Sequence, residues 1–350
     1  MASRPTGDFQ RPRILIVRLS AVGDVVHGLP VLCALRDKFP EASLAWVVES
    51  RASALLEGHK DLDELIVAER GWLKSPRAIL KLRRQLREFS PDVTIDLQGL
   101  SKSAVMARLS GCKKRIGFAG DNGRELSRWM NTELVETTAG HVIDINLELL
   151  KPLRINAPQV RFDVPEDHAD TDMVEALLRQ SGTLEGFAII NPGAGWPSKL
   201  WPTERYANVA GYLGREHGLP TMVVWAGRQE WQWAEQIVDG SNGHARLAPS
   251  TTLQQLAALT RRARLFIGSD TGPLHIAAAV GTTCVGLYGP MPSERNGPYG
   301  PRHVALQKVK FEGTSRERRN ASKDLMEAIR VDHVCAACDS ILKKDSFEVA

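Results

Sequence analysis

Short runs of apolar and β-branched residues alternate with amphipathic segments through the first third of the chain. The runs predict strands at 13–18, 44–48, 64–67, 93–97 and 115–118. Between them, apolar residues recur every three or four positions, with charges on the opposite side, and this predicts helices at 25–38 and 76–89. Strands that alternate with helices in this way form a mostly parallel sheet covered on both faces.

The same alternation begins again after a polar segment at 161–186, which we interpret as a linker region. Apolar runs predict further strands at 187–191, 221–225, 265–269 and 284–288. Helical periodicity lies between them, near 203–217, 229–239, 253–260 and 272–280. We therefore expect two doubly wound α/β domains facing each other across a cleft, an N-terminal one at 13–160 and a C-terminal one at 187–321.

Both ends of the chain lie outside these domains. Residues 1–12 contain Arg and Pro but no apolar run of the signal-peptide kind, so we expect a disordered tail on a cytoplasmic protein. Residues 322–350 are expected to form a C-terminal helix and tail, with the helix at 322–334 and the last dozen residues frayed.

The composition is that of a globular protein, because 43% of the 350 residues are hydrophobic and 25% are charged. No apolar run approaches the ~20 residues of a membrane-spanning helix, so any membrane contact must be peripheral. A net charge of +4 attracts phosphate-bearing ligands but is far from that of nucleic-acid-binding proteins, and the sequence holds no DNA or RNA motif. We therefore expect no nucleic-acid partner.

Five cysteines fit a reducing compartment. Cys33, Cys112 and Cys284 are isolated and are expected to pack as small hydrophobic residues. Cys335 and Cys338 form a C-x-x-C beside His333, but the second pair that a zinc site requires is missing from the sequence. This pattern favours a structural role over metal binding or redox chemistry.

Asp24 lies in the segment RLSAVGDVVHGLP, at the turn where the first strand passes into the first helix. Such turns at the carboxyl end of a strand are where α/β folds bind ligands. A carboxylate there suits a general base, but it also suits the N-cap of a helix that begins at Val25. Gly23 and Gly28 have the spacing of a phosphate-binding P-loop without its Lys-Ser/Thr, and no G-x-G-x-x-G is present in this turn.

The segment IINPGAGWPSKLWP follows the first strand of the second domain. Gly193 and Gly195 allow a tight turn and a close backbone approach at the carboxyl edge of the sheet. Lys199 follows within reach of the same edge and is suited to neutralising a phosphate. The alternative for Lys199 is a solvent-exposed charge in a loop.

Two further segments carry polar side chains at strand ends. In FIGSDTGPLHIAAAV, a buried strand passes directly into a helix of small residues, whose N–H groups and positive end suit a diphosphate. Asp270 and Thr271 are also typical N-cap residues, and His275 is equally a candidate packing residue. Glu230, in WAGRQE, is placed to accept hydrogen bonds from sugar hydroxyls, or is an acidic residue of a first helical turn.

Two D-x-D patterns, at 61–63 and 170–172, are typical of metal–nucleotide sites when they follow a strand end. Both lie in polar, charged segments away from the predicted strand ends. We therefore interpret both as solvated faces, and the sequence predicts no metal site.

The combination of motifs resembles glycosyltransferase family 9, the ADP-heptose:lipopolysaccharide heptosyltransferases, from about Arg13 to Val334. The segments that carry the likeness are RILIVRLSAVGDVVHGLPVLCALR, DLQGLSKSAV, KLWP, GSDTGPLHIAAAVGTTCVGLYGP and RNGPYG. GRELSRWMN and GHVIDINLELL most resemble the heptosyltransferase I branch, which adds the first heptose to the Kdo of the inner core. The resemblance implies the two-lobed GT-B fold and an inverting enzyme without metal or other cofactor.

The resemblance also implies roles for individual residues. Asp24 corresponds to the catalytic base, Lys199 to the phosphate-binding lysine and Glu230 to the carboxylate that holds donor hydroxyls. The implied donor and nucleotide site further includes Gly193, Gly195, Thr251, Asp270, Thr271, Gly272 and His275. The implied acceptor-binding residues are Lys102, Arg124 and His141.

The resemblance further implies ADP-L-glycero-D-manno-heptose as donor and lipid A–Kdo as acceptor, with peripheral contact on the cytoplasmic face of the inner membrane. One departure stands out, since Ala194-Gly195 occupies the place of a Thr-Thr pair. It keeps open a family 9 transferase with another sugar nucleotide or acceptor, such as a heptosyltransferase II-like enzyme. A sugar-nucleotide epimerase or hydrolase, and a non-catalytic sugar-nucleotide-binding protein, are the further alternatives.

Overall fold

The structure, a computed structural model, describes residues 11–124, 126–183 and 186–348, with side chains described up to Lys343. The chain divides between Pro165 and Glu166 into two compact units. Residues 1–10 of the expected N-terminal tail lie outside the described residues.

The first unit contains a parallel sheet of six strands in the order β3-β2-β1-β4-β5-β6. The strands are β1 Arg13–Val17, β2 Ser43–Glu49, β3 Glu64–Ala68, β4 Val93–Asp96, β5 Lys114–Phe118 and β6 Glu133–Val135. The α-helices are α1 Val22–Val26, α2 Leu29–Lys38, α3 Ser50–Ser53, α4 Pro76–Phe89, α5 Ser101–Leu109, α6 Ser127–Met130 and α7 Val142–Glu148. In the register of the central strands, Ile14 pairs with Leu44 and with Val93.

Strand β1 lies at the centre of the sheet, and residues 14–17 are completely buried because helices cover both faces. Helix α4 begins at Pro76 behind Ser75, whose Oγ accepts a hydrogen bond from the Ala78 N–H at 3.3 Å. Its apolar residues Leu82, Leu86 and Phe89 recur at helical spacing and pack on the sheet.

The second unit repeats the architecture, with strand order β12-β11-β10-β7-β8-β9, again all parallel. The strands are β7 Ala188–Asn191, β8 Thr221–Val223, β9 Ala245–Leu247, β10 Leu265–Ser269, β11 Cys284–Tyr288 and β12 Val304–Gln307. The α-helices are α8 His168–Ser181, α9 Thr203–His217, α10 Gly227–Gly240, α11 Leu253–Arg262, α12 Gly272–Ala279, α13 Ser293–Asn296, α14 Ser315–Arg319, α15 Asp324–Glu327 and α16 Val331–Glu348.

The segment expected as a linker, 161–186, contains helix α8. Asp167 caps this helix by accepting the Ala169 N–H at 2.8 Å, and Gly182 ends it at a φ of 66°. Val174 and Leu178 are buried, and α8 packs on α11. Most of the segment is therefore a helix of the second unit rather than an extended connection.

The C-terminal end also differs from the expectation. The predicted helix at 322–334 is divided between α15 and the start of α16, and α16 continues through the residues expected to be frayed. The reason is an apolar stripe at helical spacing that packs into the core of the second unit and comprises Val334, Cys335, Cys338, Ile341 and Leu342. Both cysteines of the C-x-x-C are thus core residues, as are the three isolated ones in their own surroundings.

The expected solvated face at 61–63 is wrong for Asp61, which is buried. Its carboxylate lies 2.8 Å from the guanidinium of Arg161, which also contacts Asp37 and Asp163. A buried carboxylate requires such a partner, and this one comes from a residue one hundred positions further along the chain. These ion pairs connect the segment after α7 with helix α2 and with the loop before β3.

In the part of the chain that the structure describes, no helix combines the length and the apolar character needed to cross a membrane.

Candidate active site

Asp24 lies in the turn after β1, at the carboxyl edge of the first sheet. Its Oδ1 is 2.6 Å from Nη2 of Arg18, and its Oδ2 accepts the Ala21 N–H at 3.0 Å. Asp24 is therefore a residue within α1 that bonds back to the N-terminal turn, and the N-cap position belongs to Ala21. The side chain is 38% exposed, so a carboxylate held by two donors still faces solvent. This arrangement suits a group that must accept a proton from a substrate hydroxyl.

Arg18 was not singled out from the sequence, although it determines how Asp24 is held. Its side chain is buried, and Nη1 donates to the Leu97 carbonyl beyond β4 while Nη2 binds Asp24. The Leu19 N–H donates to Oε1 of Gln98 at 3.0 Å, which ties the same turn to the same loop. Two neighbouring strand ends thus fix the orientation of the carboxylate, and the signal in the sequence is a charged residue directly after a buried strand.

Lys102 lies beside this turn, as its proposed acceptor role requires. Its Nζ is 3.2 Å from Oγ of Ser20 and 3.1 Å from Oε1 of Glu49, the last residue of β2. Because β2, β1 and β4 are adjacent in the sheet, their carboxyl ends bring Glu49, the Asp24 turn and Lys102 together. Glu49 is a second residue of this site that the sequence analysis missed.

The other two proposed acceptor residues lie in elements that contact this edge. Arg124 is exposed, and its N–H donates to the Gly99 carbonyl in the loop after β4 at 2.9 Å. His141 is the N-cap of α7, and its Nδ1 accepts the Ile143 N–H at 3.2 Å. Its ring meets that of His27, just after α1, edge-on with centroids 6.3 Å apart.

In the second unit, Lys199, Asp270 and His275 form a buried group at the carboxyl edge. Lys199 Nζ lies 2.5 Å from Oδ2 of Asp270 and 3.2 Å from its carbonyl oxygen, and 4.5 Å from the ring centroid of Trp196. His275 Nε2 lies 3.0 Å from the other carboxylate oxygen of Asp270. The loop charge considered as an alternative for Lys199 is thus wrong, since the ammonium is mostly buried.

Burial alone would raise the pKa of the Asp270 carboxyl, but the hydrogen bond with His275 and the ammonium of Lys199 outweigh it and lower that pKa to about 2. Asp270 is therefore a carboxylate near neutral pH, and it orients Lys199. It is not the helix cap, because Thr271 is the N-cap of α12 and Gly272 its first residue. Thr271 Oγ1 accepts from Asn191 Nδ2 at 3.2 Å rather than from a helix N–H.

Gly193 and Glu230 lie in direct contact, across the ends of β7 and β8. The carboxylate of Glu230 accepts the Ala226 N–H at 2.9 Å, and a Cβ on Gly193 would lie 2.4 Å from that carboxylate. A side chain at position 193 would therefore displace the Glu230 carboxylate. Gly195 differs, since nothing among the described residues lies within 4 Å of a Cβ placed on it. The backbone thus approaches another side chain closely at Gly193, whereas the space beside Gly195 is open.

Thr251 lies in the loop between β9 and α11, directly before Thr252, which caps that helix. It shares the carboxyl edge of the second sheet with the lysine group and Glu230, because β9 neighbours β8 and β8 neighbours β7. The structure thus assigns all the proposed donor residues to one edge of one sheet.

A parallel sheet with polar side chains at its carboxyl edge is the arrangement in which α/β proteins bind nucleotides and related ligands, and the chain carries it twice. Residues 79–326 match the family model of glycosyltransferase family 9 (heptosyltransferase), and the chain belongs to that family. It is a glycosyltransferase, and its two Rossmann-like units are those of the GT-B fold.

Known proteins with similar sequences or structures are heptosyltransferases or members of glycosyltransferase family 9. Lipopolysaccharide heptosyltransferase 1 of Pseudomonas aeruginosa is 27% identical over 303 residues, which cover 84% of this chain and 83% of that protein. The glycosyl transferase family 9 structure from Veillonella parvula has a TM-score of 0.81 at 24% identity and covers 95% of this chain and 98% of its own. Escherichia coli heptosyltransferase WaaC with ADP has a TM-score of 0.72 at 21% identity, with coverage of 95% and 98%.

Proposed function

We propose that this glycosyltransferase moves heptose from ADP-L-glycero-D-manno-heptose to the Kdo of the lipopolysaccharide inner core, with inversion and without a metal ion. Membership of family 9 and the likeness to lipopolysaccharide heptosyltransferase 1 support the proposal. The observation that carries it is the Asp24 carboxylate, held by Arg18 and Ala21 yet open to solvent at the carboxyl edge of the first sheet.

The first unit supplies the acceptor chemistry. Asp24 takes the proton from an acceptor hydroxyl while that oxygen bonds to the anomeric carbon of the donor. The bond from that carbon to the diphosphate breaks at the same time, and ADP leaves with its electron pair. General-base assistance of this kind contributes roughly 10²- to 10⁴-fold to the rate.

The second unit supplies the leaving-group chemistry. Negative charge grows on the diphosphate as the bond breaks, and a positioned ammonium and a helix N-terminus stabilise such charge. Asp270 accepts two contacts from Lys199 Nζ, and we assign the remaining N–H of the ammonium to a phosphate oxygen. The first turn of α12, at Gly272, and the hydroxyl of Thr271 complete this anion site. Glu230 and the loop at Thr251 hold donor hydroxyls.

The acceptor is an anionic sugar attached to a lipid, and cations recognise it best. Lys102 and Arg124 are assigned to its carboxylate or phosphate groups, and His141 to a hydroxyl or carboxylate. An acceptor that lies in the inner membrane requires peripheral contact with its cytoplasmic face.

A second candidate function rests on the Ala194-Gly195 pair. The loop after β7 offers no side-chain hydroxyl there, and the space beside Gly195 is open. This difference fits a family 9 transferase with a different sugar nucleotide or acceptor, such as a heptosyltransferase II-like enzyme. An epimerase or hydrolase would consume donor without any acceptor.

The test is nucleotide release by the purified protein from a panel of sugar nucleotides, with and without Kdo-bearing lipid A, in the presence of a metal chelator. We expect ADP release from ADP-heptose only when that acceptor is present. Release from another donor supports the second candidate, and release without acceptor indicates an epimerase or hydrolase. Loss of activity in the chelator contradicts the metal-free mechanism.

A further inference from the structure

Helix α4 presents a strongly cationic outer face. Residues 74–89 contain six lysines and arginines and one acidic residue, Glu88, a net charge of +5 in a chain whose total is +4. The apolar residues of α4 pack inward on the sheet, whereas Arg77, Lys81, Arg84 and Arg87 are exposed. The pairs that Lys81 forms with Glu69 and Arg84 with Glu88 are long and solvent-exposed, so they neutralise this face weakly.

Large apolar side chains lie among these cations instead of in the core. Leu80 is 61% exposed, and at helical spacing its neighbours are Arg77 and Arg84. Leu73, in the turn just before α4, is 48% exposed. An amphipathic helix that served only to cover the sheet would have a polar residue at position 80.

A second group with the same character lies at α6 and the residue that precedes it. Trp129 is 82% exposed and Leu126 is 55% exposed, and both lie beside the exposed Arg128. Helix α4 packs on α5 and α5 packs on α6, and the Leu126 N–H donates to Oγ of Ser101 at the start of α5 at 3.2 Å. The three helices follow one another across the first unit.

We call this the cationic–apolar surface and define it by the exposed cations Lys74, Arg77, Arg84 and Arg124 and the exposed apolar residues Leu80 and Trp129. It reaches the acceptor residues, because Arg124 belongs to both groups and its backbone bonds to Gly99, three residues before Lys102.

We infer that the cationic–apolar surface docks on an anionic phospholipid bilayer. Lysine and arginine bind anionic headgroups, while Trp and Leu side chains enter the boundary between headgroups and acyl chains. Charge complementarity alone would suit a nucleic acid, but exposed Leu and Trp gain nothing from a phosphate backbone. The inference rests on the proposed function in one respect, since a lipid-linked acceptor gives the enzyme a reason to bind a bilayer.

The experiment is flotation of the full-length protein with vesicles of phosphatidylcholine alone and of phosphatidylcholine with phosphatidylglycerol. We expect binding to the anionic vesicles, weaker binding at high salt, and little binding to the neutral ones. Two variants remove one component each: Lys74→Glu with Arg77→Glu, and Leu80→Ser with Trp129→Ser. Each pair should lower vesicle binding about tenfold or more.

The matched control is Lys38→Glu with Arg51→Glu, which makes the same charge change at exposed residues outside this surface. It should bind vesicles nearly as the wild type does, and thermal unfolding should show that all variants are folded. Equal loss in the control, equal binding to neutral vesicles, or unchanged binding in both test variants overturns the inference. So does a protein that binds duplex DNA through these residues and ignores vesicles.

Transfer to a water-soluble Kdo acceptor without acyl chains separates this inference from the proposed function. The surface variants should retain full activity on that acceptor. Vesicle binding without any transfer would support the docking surface and overturn the proposed function. Transfer without vesicle binding would support the proposed function and overturn the docking surface.

Discussion

The guanidinium of Arg18 lies 2.6 Å from the carboxylate of Asp24, and the two residues differ sharply in exposure, with side chains 10% and 38% exposed. Arg18 is held in the interior by the Leu97 carbonyl, so it acts as a fixed positive group on which Asp24 is oriented. The Asp24 carboxylate is thus attached to the rigid edge of the sheet rather than to a free loop.

Replacement of Asp24 by Asn should lower kcat by roughly 10²- to 10⁴-fold, because an amide cannot take the proton from the acceptor. The KM values for both substrates should change little. Steady-state kinetics with ADP-heptose and Kdo-bearing acceptor measure this, and turnover close to that of the wild type would rule out Asp24 as the base.

Asp63 offers a matched control for that variant. Its carboxylate binds Arg36 at 2.7 Å and a backbone N–H, that of Leu44, at 2.7 Å, but at the opposite edge of the same sheet. Asp63→Asn should alter stability about as much as Asp24→Asn and leave kcat unchanged.

Gly193→Ala should raise the KM for the donor about tenfold, because the new Cβ would lie 2.4 Å from the Glu230 carboxylate and displace it. Gly140→Ala is the control for the donor KM, since Gly140 lies in the first unit and its Cβ would meet nothing within 4 Å among the described residues. Donor titrations of both variants test the role of Glu230, and equal KM values in the two would contradict it.

Lys199→Met should weaken ADP binding by one to two orders of magnitude, because it removes the ammonium assigned to the diphosphate. Isothermal titration with ADP measures the affinity directly and needs no acceptor. The control is Lys310→Met, which breaks an exposed pair with Glu294 of 2.7 Å. Unchanged ADP affinity in Lys199→Met would show that this lysine serves only to neutralise Asp270.

Lys102→Ala should raise the KM for the acceptor about tenfold and leave the donor KM unchanged, because it removes a cation beside the Asp24 turn. Lys151→Ala is the control, since Lys151 pairs with Glu148 at 2.6 Å in the same unit but has no assigned role in the site. An increase in the donor KM alone would contradict this assignment, because it would show that Lys102 binds the donor rather than the acceptor.

The Asp270 group should also make stability depend on pH. Its pKa in the folded chain, about 2, lies below the ordinary value of 3.8, so the stabilisation is complete above about pH 4 and is lost as the pH falls towards 2. A shift of this size corresponds to about 2 kcal/mol. The difference in free energy of unfolding between wild type and Asp270→Asn should therefore shrink over that interval in urea titrations.

Asp332 provides the comparison for this pH effect. The pKa of its carboxyl is also lowered to about 2, first of all by the hydrogen bond from Arg330, but both residues are exposed. High salt should abolish the contribution of Asp332 to the pH dependence of the free energy of unfolding. It should leave the contribution of Asp270, because buried charges are screened much less. A loss of both contributions in salt would contradict the buried position of Asp270.

Much of each unit follows from local pattern. Apolar runs such as Ile14 to Val17 identify strands, and the periodicity of Leu82, Leu86 and Phe89 identifies α4. The short edge strands β6 and β9 and the helix α8 were not predicted, because three-residue strands and a charged helix have weak periodicity. Helix α16 extends beyond the predicted 322–334 because its apolar stripe, which includes Cys335 and Cys338, packs into the core of the second unit.

The sequence by itself determined the alternation of strands and helices and the presence of Asp24, Lys199 and Asp270 near strand ends, because both depend on neighbours along the chain. Only the tertiary structure decided which side chains meet. Lys199 and Asp270 are 71 residues apart, and the contacts of Arg18 with Leu97 and of Gly193 with Glu230 likewise join separate strand ends. Such contacts depend on strand order and register, which packing across the whole sheet determines and no local pattern records.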